Sequence, residues 1–567
     1  MRKPVLTIAL SSFSLFAFSQ DELMIHSNLT KKIDVTDVHH YKIKTVKGDF
    51  YKLLVIQNGI DLIIEVKPGD SSEARSFDSP NGSSGPEPVE FIASVTGNTF
   101  IDVKPFVDSS NTKAGEYSIE YVEHVSAAEY SKMLKQKQKD EDDFVSWIQK
   151  TSVPLKSVKA GSGFDDLESL KPVLANKRVV AMGEATHGTK EFFQMKHRML
   201  EFLVKEMGFT VFAIEASYSR CRYINDYVLN GKGDLDTATT IHGFTTWSTE
   251  EVRDMIKWMR DYNSTNPARK IQFVGFDLQV NDAAAFQIIQ FYEKVDTVKK
   301  NVIISLLRQI LEQENKGGIF SGDTTIRNLL DPMNKMISDL LANKEEYIQK
   351  TSKEQFGEVL RDHNILRQYI ISYSYNNFTE TIKREDRDFF MAQNILAWLK
   401  YFPKGTKMMV WAHNGHVAKD YLDGVSVPSM GSYLKKELKD EYYVIGFDFY
   451  KGKFQSNDVD MKNSPGWEEE EVGEAPKENL SSFFVRAGLG NSFLDLTLTK
   501  KDKNVESWLN EKEIGTYSMG SQFSKKWAPS SYIEPMKLFH AFDGVIFIKE
   551  SNRAVPIKMA AIDYYAF

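Results

Sequence analysis

Alternation of apolar and polar residues predicts a small all-β domain in the first part of the chain. In "DLIIEVKPGD" the apolar positions are Leu62, Ile64 and Val66, and a Pro-Gly turn follows them. The stretch "EYSIEY" at 116–121 repeats the pattern. Side chains that alternate in this way face a core at one position and the solvent at the next, as in an antiparallel sheet. We therefore predict a small accessory β-sandwich over residues 20–125, and we find no catalytic constellation in it.

The pattern changes at about residue 144, after a charged segment at 126–143 that we interpret as a linker or helix. Runs that are apolar on both faces now alternate with stretches of helical periodicity. Such runs are typical of strands covered by helices on both sides and joined by right-handed crossovers. The candidate strands are 178–183, 209–216, 271–277, 407–413, 442–449 and 544–549. We predict an α/β domain over 144–567, with a mostly parallel sheet and a long helical insertion at about 282–401.

Residues 1–19 have the pattern of a secretory signal peptide. Two basic residues precede an apolar stretch, 5–18, that is short for a membrane span, and the small residues Ala17 and Ser19 precede the expected cleavage point. No later apolar run has transmembrane length. We expect export to the periplasm or the medium, with no integral membrane segment after cleavage. An uncleaved N-terminal anchor is the alternative.

Composition narrows the class of protein. The chain has 567 residues, of which 42% are hydrophobic, which is enough for a large core and for two or more domains. The formal net charge of −7 differs from the basic footprint of nucleic-acid binders, so we expect no nucleic-acid partner. Cys221 is the single cysteine, so no intramolecular disulfide can form. It is either a thiol nucleophile or a small apolar residue of a helix.

Polar side chains follow four of the predicted strands. In chain order they are Glu184, His187, Glu215, Asp277, His413 and His416. The carboxyl ends of parallel strands meet at one edge of a sheet, where ligands bind in α/β proteins. Each residue also has an ordinary alternative, since a carboxylate after a strand often caps a helix and a buried histidine is often only structural. Their convergence on one edge favours a functional site.

The residue types at this edge favour hydrolysis by activated water. The pattern G-x-S-x-G is absent from every strand end, which argues against an ordinary α/β-hydrolase, and no glycine-rich phosphate loop is present. Without a protein nucleophile, a histidine oriented by a carboxylate can take a proton from water. Gly183 and Gly188 are expected to let the chain turn sharply around the polar pair between them.

A metal site is the competing interpretation of the same residues. The H-x-x-H pattern at 413–416, with Glu184, His187 and Glu215, offers ligands suitable for zinc or manganese. The pattern lies in a turn rather than on a helical face, and its spacing matches no metal signature. We expect no cofactor, and a divalent metal stays as the alternative.

The second domain resembles a known family along most of its length. The stretches that carry the resemblance are "GEATHGTKEFFQMKHRMLEFL", "FTVFAIEASYS", "GFTTWSTEEVRDMIKWMRDYN", "FVGFDLQ", "REDRDFFMAQNILAWL", "KMMVWAHNGHVA", "PSMGSYL" and "AFDGVIFI". In this order they resemble the motifs of the erythromycin esterase family. The resemblance covers most of 144–567 and excludes the N-terminal sandwich.

The resemblance implies hydrolysis of a macrocyclic lactone ester, which opens the ring and inactivates a macrolide antibiotic, a small-molecule substrate. It also implies a histidine as general base and no essential metal. The glutamate and base histidine of the first motif fall on Glu184 and His187, and the family arginine nine residues later falls on Lys196. Lysine keeps the charge and loses the bidentate fork. The remaining family positions fall on Glu215, His413 and His416.

These positions lead to a hypothesis about roles. His187 activates water and Glu184 orients a histidine. Glu215 orients His413 or His416, which polarises the carbonyl or supports the oxyanion. The weaker candidates, each with a purely structural alternative, are Lys196, Trp247, Asp277, Arg387, Asp388, Asn394 and the acidic run 468–471, which we interpret as a solvated loop.

Two other functions stay open at this point. The first is a metal-dependent hydrolase of another ester or amide on the same scaffold, which sensitivity to chelators would reveal. The second is a secreted protein that binds its ligand without catalysis. The complete set of carboxylates and histidines at the sheet edge argues against the second.

Overall fold

A computed structural model describes residues 21–69, 73–79, 82–106, 113–315, 324–374, 386–420, 428–460, 467–527 and 529–558. The predicted signal peptide, 1–19, lies outside the described residues. The chain divides into two compact units, Met1–Glu141 and Asp142–Phe567. In the parts of the chain listed above, no helix combines the length and the apolar character needed to cross a membrane.

The first unit consists mostly of strands in two sheets. Its strands are β1 Asp21–Glu22, β2 Asn28–Ile33, β3 His39–Thr45, β4 Phe50–Asn58, β5 Leu62–Pro68, β6 Arg75–Phe77, β7 Ser84–Ile92, β8 Gly97–Pro105 and β9 Gly115–Val125. One sheet has the order β1-β3-β8-β5-β6 and the other β2-β9-β4-β7. Alternate side chains of β5 and β9 are buried, as predicted, and both sheets contribute to one core. The hydroxyls of Tyr41 and Tyr117, on different sheets, lie 2.6 Å apart.

The second unit is built around a ten-stranded sheet. Its strands are β10 Val153–Pro154, β11 Val179–Met182, β12 Val211–Ser217, β13 Gln272–Asp277, β14 Met408–Trp411, β15 Tyr442–Asp458, β16 Trp467–Val472, β17 Ser492–Asp495, β19 Gln522–Phe523 and β21 Gly544–Ser551; β18 Ile514–Tyr517 and β20 Ile533–Met536 pair separately. The main order is β10-β17-β21-β15-β11-β14-β12-β13. All six predicted strands are present.

The prediction of a mostly parallel sheet is wrong, because the sheet is mixed. Its centre, from β21 through β15, β11, β14 and β12 to β13, is parallel. At one edge β17 and β10 run antiparallel, and β16 pairs antiparallel with the long β15. The acidic run 468–471 therefore lies in a strand and not in a loop. Short edge strands lack the two-faced apolar pattern that identified the central strands.

Helices cover both faces of this sheet. They are α1 Ala127–Thr151, which contains the boundary between the units, α2 Leu170–Leu174, α3 Lys190–Met207, α4 Cys221–Asn230, α5 Leu235–Thr240, α6 Glu250–Thr265, α7 Asp282–Val295, α8 Thr297–Asn315, α9 Leu330–Ala342, α10 Lys344–Lys350, α11 Lys353–Ser374, α12 Arg387–Tyr401, α13 Asn414–Val417, α14 Met430–Leu438, α15 Leu480–Arg486, α16 Lys503–Glu511 and α17 Leu538–Ala541. The region 282–401 contains α7 to α12, which lie between β13 and β14 in the chain.

Successive side chains of the central strands contribute to two separate cores. On β11, Val179 and Ala181 belong to the core shared with α7 to α12, whereas Val180 and Met182 belong to the core shared with α3, α4 and α6. A strand whose side chains all face helices has to be apolar at every position. This explains why the central strands could be recognised in the sequence.

Candidate active site

The strand order brings the predicted polar residues to one edge of the sheet. Strand β14 lies between β11 and β12. His413, just after β14, is therefore placed between Glu184, which follows β11, and Glu215, near the end of β12. The rings of His187 and His413 lie 5.0 Å apart and those of His413 and His416 lie 6.5 Å apart, measured between centroids.

Glu184 is a fully buried carboxylate with three hydrogen-bond donors. Its Oε1 lies 2.7 Å from Nδ1 of His187. Its Oε2 accepts from Nζ of Lys196 at 2.6 Å and from the indole N–H of Trp411 at 2.7 Å. Burial by itself would raise the pKa of Glu184, but the Lys196 charge and the His187 hydrogen bond outweigh it and hold the pKa below its usual value. Glu184 is therefore ionised and accepts the Nδ1 proton of His187.

Lys196 lies on the inner face of α3 and is completely buried. Its Nζ lies 4.3 Å from the centroid of the Trp411 ring and 5.3 Å from that of Phe447. Burial lowers the pKa of Lys196 to about 8, although Glu184 opposes this shift. The alternative of a solvated helix residue is therefore wrong for this lysine.

His413 is held as a neutral ring with a defined tautomer. It caps α13, and its Nδ1 accepts a hydrogen bond from the backbone N–H of Gly415 at 3.3 Å. Burial lowers the pKa of His413 to about 3. The proton of the neutral ring is then on Nε2, which is buried and has no hydrogen-bond partner among the described residues. An unpartnered buried N–H is a suitable donor to a substrate oxygen.

Arg387, at the first position of α12, joins the carboxylates of the other half of the site. Its Nη2 donates to Oε1 of Glu215 at 2.6 Å and to Oδ2 of Asp277 at 2.7 Å. Burial would raise the pKa of Glu215, but the charges of His416 and Arg387 hold it well below its usual value. Oε2 of Glu215 also accepts the backbone N–H of His413 at 3.0 Å, which fixes the start of the histidine turn.

His416 lies between carboxylates and the same arginine. Its Nδ1 is 2.8 Å from Asp388, and its Nε2 is 3.0 Å from Nη1 of Arg387 and 3.3 Å from Oε1 of Glu215. Burial opposes protonation, but the two carboxylates outweigh it and raise the pKa of His416 to about 9. The two carboxylates therefore favour the protonated form of His416 at neutral pH.

Trp247 lies beside the base candidate. Its ring meets that of His187 edge to face, with centroids 6.2 Å apart and planes at 90°. The side chain is buried, and its indole N–H has no hydrogen-bond partner in the described parts of the chain. The contact places Trp247 at the site, although most of the ring packs in the core.

The two glycines around the first motif act by close approach and not by an unusual backbone conformation. Neither Gly183 nor Gly188 has a positive φ, so the turn at His187 and Gly188 does not depend on a left-handed backbone. A Cβ at Gly183 would lie 2.1 Å from Oδ1 of Asn414, and one at Gly188 would lie 2.2 Å from Cγ of Gln455. Both positions exclude any side chain because a neighbouring strand or turn occupies that space.

The donor set does not favour a metal ion. Among the described residues, no group of three or more histidine, cysteine, aspartate or glutamate side chains is arranged to hold one. The guanidinium of Arg387 already lies between Glu215, Asp277 and His416, where a cation would be expected to bind. Nδ1 of His187 is engaged with Glu184.

Sequence analysis missed several partners that complete the site. Arg387 and Asp388 were weaker candidates, for which a structural ion pair was preferred, and Trp411 and Asn414 were not considered. Asn414 donates its backbone N–H to the carbonyl oxygen of Glu184 at 2.9 Å and so connects the two loops. Asn394 does not reach the site, since its amide donates to the carbonyl of Phe276. An arginine beside an N-capping aspartate in "REDRD" was the signal available in the sequence.

Cys221 has no catalytic position. It lies at the start of α4, completely buried, and burial raises the pKa of its thiol. A protonated, inaccessible thiol is not a nucleophile. The interpretation of Cys221 as a small apolar helix residue is confirmed.

Comparison with known proteins identifies the family. The family model described as erythromycin esterase matches residues 204–551. The chain belongs to the erythromycin esterase family. The match includes Glu215, Arg387 and the two histidines after β14, but it begins after Glu184, His187 and Lys196. The first unit lies outside it, as predicted.

Relatives within and around this family extend over most of the chain. Erythromycin esterase type II of Escherichia coli is 24% identical over 430 residues, covering 72% of this chain and 98% of the relative. A Bacillus cereus protein of known structure has 24% identity and a TM-score of 0.60, covering 74% of this chain and 99% of that chain. A mutant of the erythromycin esterase EreC in its open conformation has 16% identity and a TM-score of 0.54, covering 73% of this chain and 98% of that chain. The sequence relative supports a hydrolase of this family, and the two structures support its fold.

Proposed function

We propose that the protein hydrolyses the lactone ester of macrocyclic, macrolide-type substrates with water activated by His187. The observation that carries this proposal is the contact between His187 and Glu184. A buried, ionised Glu184 accepts the Nδ1 proton, so the lone pair of the ring is on Nε2, for which the described residues provide no hydrogen-bond partner. A histidine in this state is a general base.

The reaction follows from the two neighbouring rings. Nε2 of His187 removes a proton from water as the oxygen adds to the ester carbonyl carbon. The Nε2–H of His413 donates to the oxyanion that forms. When the tetrahedral intermediate collapses, the bond from carbon to the ring oxygen breaks and the imidazolium of His187 returns its proton to the alkoxide. The product is the open-chain hydroxy acid, which is the substrate plus one water.

The second half of the site supports His413 and does not take part in proton transfer. Glu215 holds the backbone of His413, while Arg387 and Asp277 hold Glu215. We infer that no metal is required, because Arg387 supplies the positive charge that the carboxylates need. A metal-dependent hydrolase of another ester or amide is the alternative that this inference opposes.

The proposal includes the setting of the enzyme. Lactone hydrolysis at an exported protein would inactivate a macrolide before it enters the cell, which fits the signal-peptide pattern at residues 1–19. We propose that residues 144–567 carry the activity and that the β-sandwich at 20–125 is an accessory domain.

The decisive experiment incubates the purified protein with a panel of macrolides of different ring sizes and follows the products by mass spectrometry, with and without a chelator. We expect a product heavier by one water, unchanged by the chelator. His187→Gln should lower the rate by about 10²–10⁴-fold, the usual contribution of a general base.

The matched control is His540→Gln, because His540 is a half-exposed histidine outside the site. It should hydrolyse the substrates at the unmodified rate. No addition of water to any macrolide would refute the macrolide substrate, and turnover that the chelator abolishes would favour the metal-dependent alternative. An active, folded His187→Gln protein would reject His187 as the base.

A further inference from the structure

We propose that the buried ammonium of Lys196 keeps Nε2 of His187 unprotonated at neutral pH and thereby determines the lower pH limit of the activity. Lys196 is a positioning residue in this account, since it acts on His187 through Glu184. The inference rests on the proposed role of His187 as general base.

Among the described residues, Lys196 has one charged partner in contact. The side chain is fully buried, and its Nζ lies 2.6 Å from Oε2 of Glu184. Trp411 and Phe447 present ring faces to it from β14 and β15, and the remaining charged group that faces it is Glu215 of β12. Glu215 already has Arg387 and His416 as partners. Lys196 is therefore the counterion of Glu184.

Removal of this charge has a definite consequence for His187. A fully buried carboxylate without a counterion is strongly disfavoured, and it takes up a proton together with any basic group bonded to it. The group bonded to Glu184 is His187, at 2.7 Å. The Trp411 indole is a neutral donor and cannot replace the lost charge.

The extra proton inactivates the base in either position. If it is on the ring, His187 is an imidazolium with both nitrogens protonated. If it is on Glu184, the carboxyl donates to Nδ1, and the neutral ring carries its proton on Nε2. In both arrangements Nε2 has no lone pair for water.

Lys196 can perform this role over the range in which an imidazole titrates. Burial lowers the pKa of Lys196 to about 8, so the amine is still an ammonium at neutral and mildly acidic pH. An arginine at the same position would carry a permanent charge.

The test compares Lys196→Met with Lys196→Arg in the full-length protein. Methionine has similar length and no charge, so we expect the acid limb of the pH–rate profile to move upward by about one pH unit or more, the usual effect of a close charge. Activity of Lys196→Met should then recover as the pH is raised. Lys196→Arg should keep the acid limb where the unmodified protein has it, even if its rate is lower. A merely structural role for Lys196 would lower the rate at every pH without moving the limb.

A second readout does not depend on the substrate. Diethyl pyrocarbonate reacts only with an unprotonated imidazole nitrogen, and peptide mapping by mass spectrometry gives its reaction rate at His187 as a function of pH. We expect the midpoint for His187 to rise in Lys196→Met and to stay in Lys196→Arg, while His540 keeps the same midpoint in all three proteins. Circular dichroism checks that the variants fold.

The two readouts separate failure of this inference from failure of the proposed function. An unchanged His187 midpoint in a folded Lys196→Met protein would overturn the role of Lys196, whatever the substrate is. A shifted midpoint without macrolide hydrolysis would retain the role of Lys196 and reject only the substrate.

Discussion

The two halves of the site use the same residue types for different purposes. Glu184 follows β11 and Glu215 lies near the end of β12, the strands on either side of β14. Each glutamate contacts a histidine and a cation. The cation at Glu184 is a lysine that can lose its proton, and its histidine contacts one carboxylate. The cation at Glu215 is an arginine, and His416 contacts two carboxylates, with a pKa raised to about 9.

This difference shows how one sheet edge can place two histidines in different electrostatic surroundings. His187 contacts a single carboxylate, Glu184, whose charge is balanced by Lys196. The carboxylates of Asp388 and Glu215 raise the pKa of His416 to about 9. This histidine therefore stays protonated at neutral pH, which suits a structural role. His413 lies between the halves, neutral and with its Nε2–H available.

The largest effect on kcat is expected when Glu184 is replaced, and replacement of Glu215 gives the comparison. Glu184→Gln removes the acceptor that fixes the tautomer of His187 and leaves Lys196 buried without a counterion. We expect kcat to fall by about 10²–10⁴-fold, as for loss of the base itself. Glu215→Gln should lower kcat less, since Glu215 contacts the backbone N–H of His413 and not its ring. Steady-state kinetics of the two variants decides this, and equal losses would contradict the division of the site.

Arg387→Met should have the largest effect on stability. It leaves Glu215 and Asp277 buried without their shared counterion, and breaking such a network costs about 3–5 kcal/mol of the free energy of unfolding. Arg253→Ala is the control, because Arg253 pairs with Asp236 at the surface and such pairs contribute about 1 kcal/mol or less. Denaturant unfolding measures the free energy of unfolding of both variants and of the unmodified protein. A loss below 1 kcal/mol for Arg387→Met would show that the second half is not a charged scaffold.

His416 should make stability depend on pH. Its pKa in the folded protein, about 9, lies above the value of about 6.5 expected in the unfolded chain. The stabilisation is then complete below about pH 6.5 and is lost as the pH rises through 9, by an amount on the order of 3 kcal/mol. Unfolding curves between pH 6 and 10 should show this decline. His416→Gln should remove the part of this decline that is due to His416. An identical pH dependence of stability in the unmodified protein and in His416→Gln would refute the charged state of His416.

Trp247→Phe should have the smallest effect. Phenylalanine keeps an aromatic edge beside His187 and removes the indole N–H, which has no described partner. If the substrate accepts that N–H, KM should rise by about tenfold or less, the value of one hydrogen bond, with kcat nearly unchanged. A large fall in kcat would instead place Trp247 in the reaction.

Much of the fold could be predicted because the central strands carry a strong signal. Runs such as 211–217 are buried at every position, and a sheet covered on both faces requires this. The antiparallel edge was missed because β17 has four residues and β10 has two, too few for a recognisable pattern. The long β15 was predicted only as far as 449, since its polar end pairs with the acidic β16.

The site was predictable wherever a polar residue follows a strand. Glu184, His187, Glu215, Asp277 and His413 could be placed together because parallel strands align their carboxyl ends. Arg387 could not, because it reaches the site from a helix more than a hundred residues after Asp277 in the chain. The local pattern, an arginine directly after an N-capping aspartate, does not tell which distant strand ends that arginine will contact.

The sequence by itself determined which polar residues meet at the ends of the parallel strands and that the chain resembles erythromycin esterases, because strand ends and motifs are local features. Only the tertiary structure decided their states. It made Lys196 a buried counterion instead of a surface residue, assigned the proton of His413 to Nε2, and gave His416 two carboxylates. Charge states and tautomers depend on burial and on the nearest donors and acceptors, and these neighbours come from distant parts of the chain.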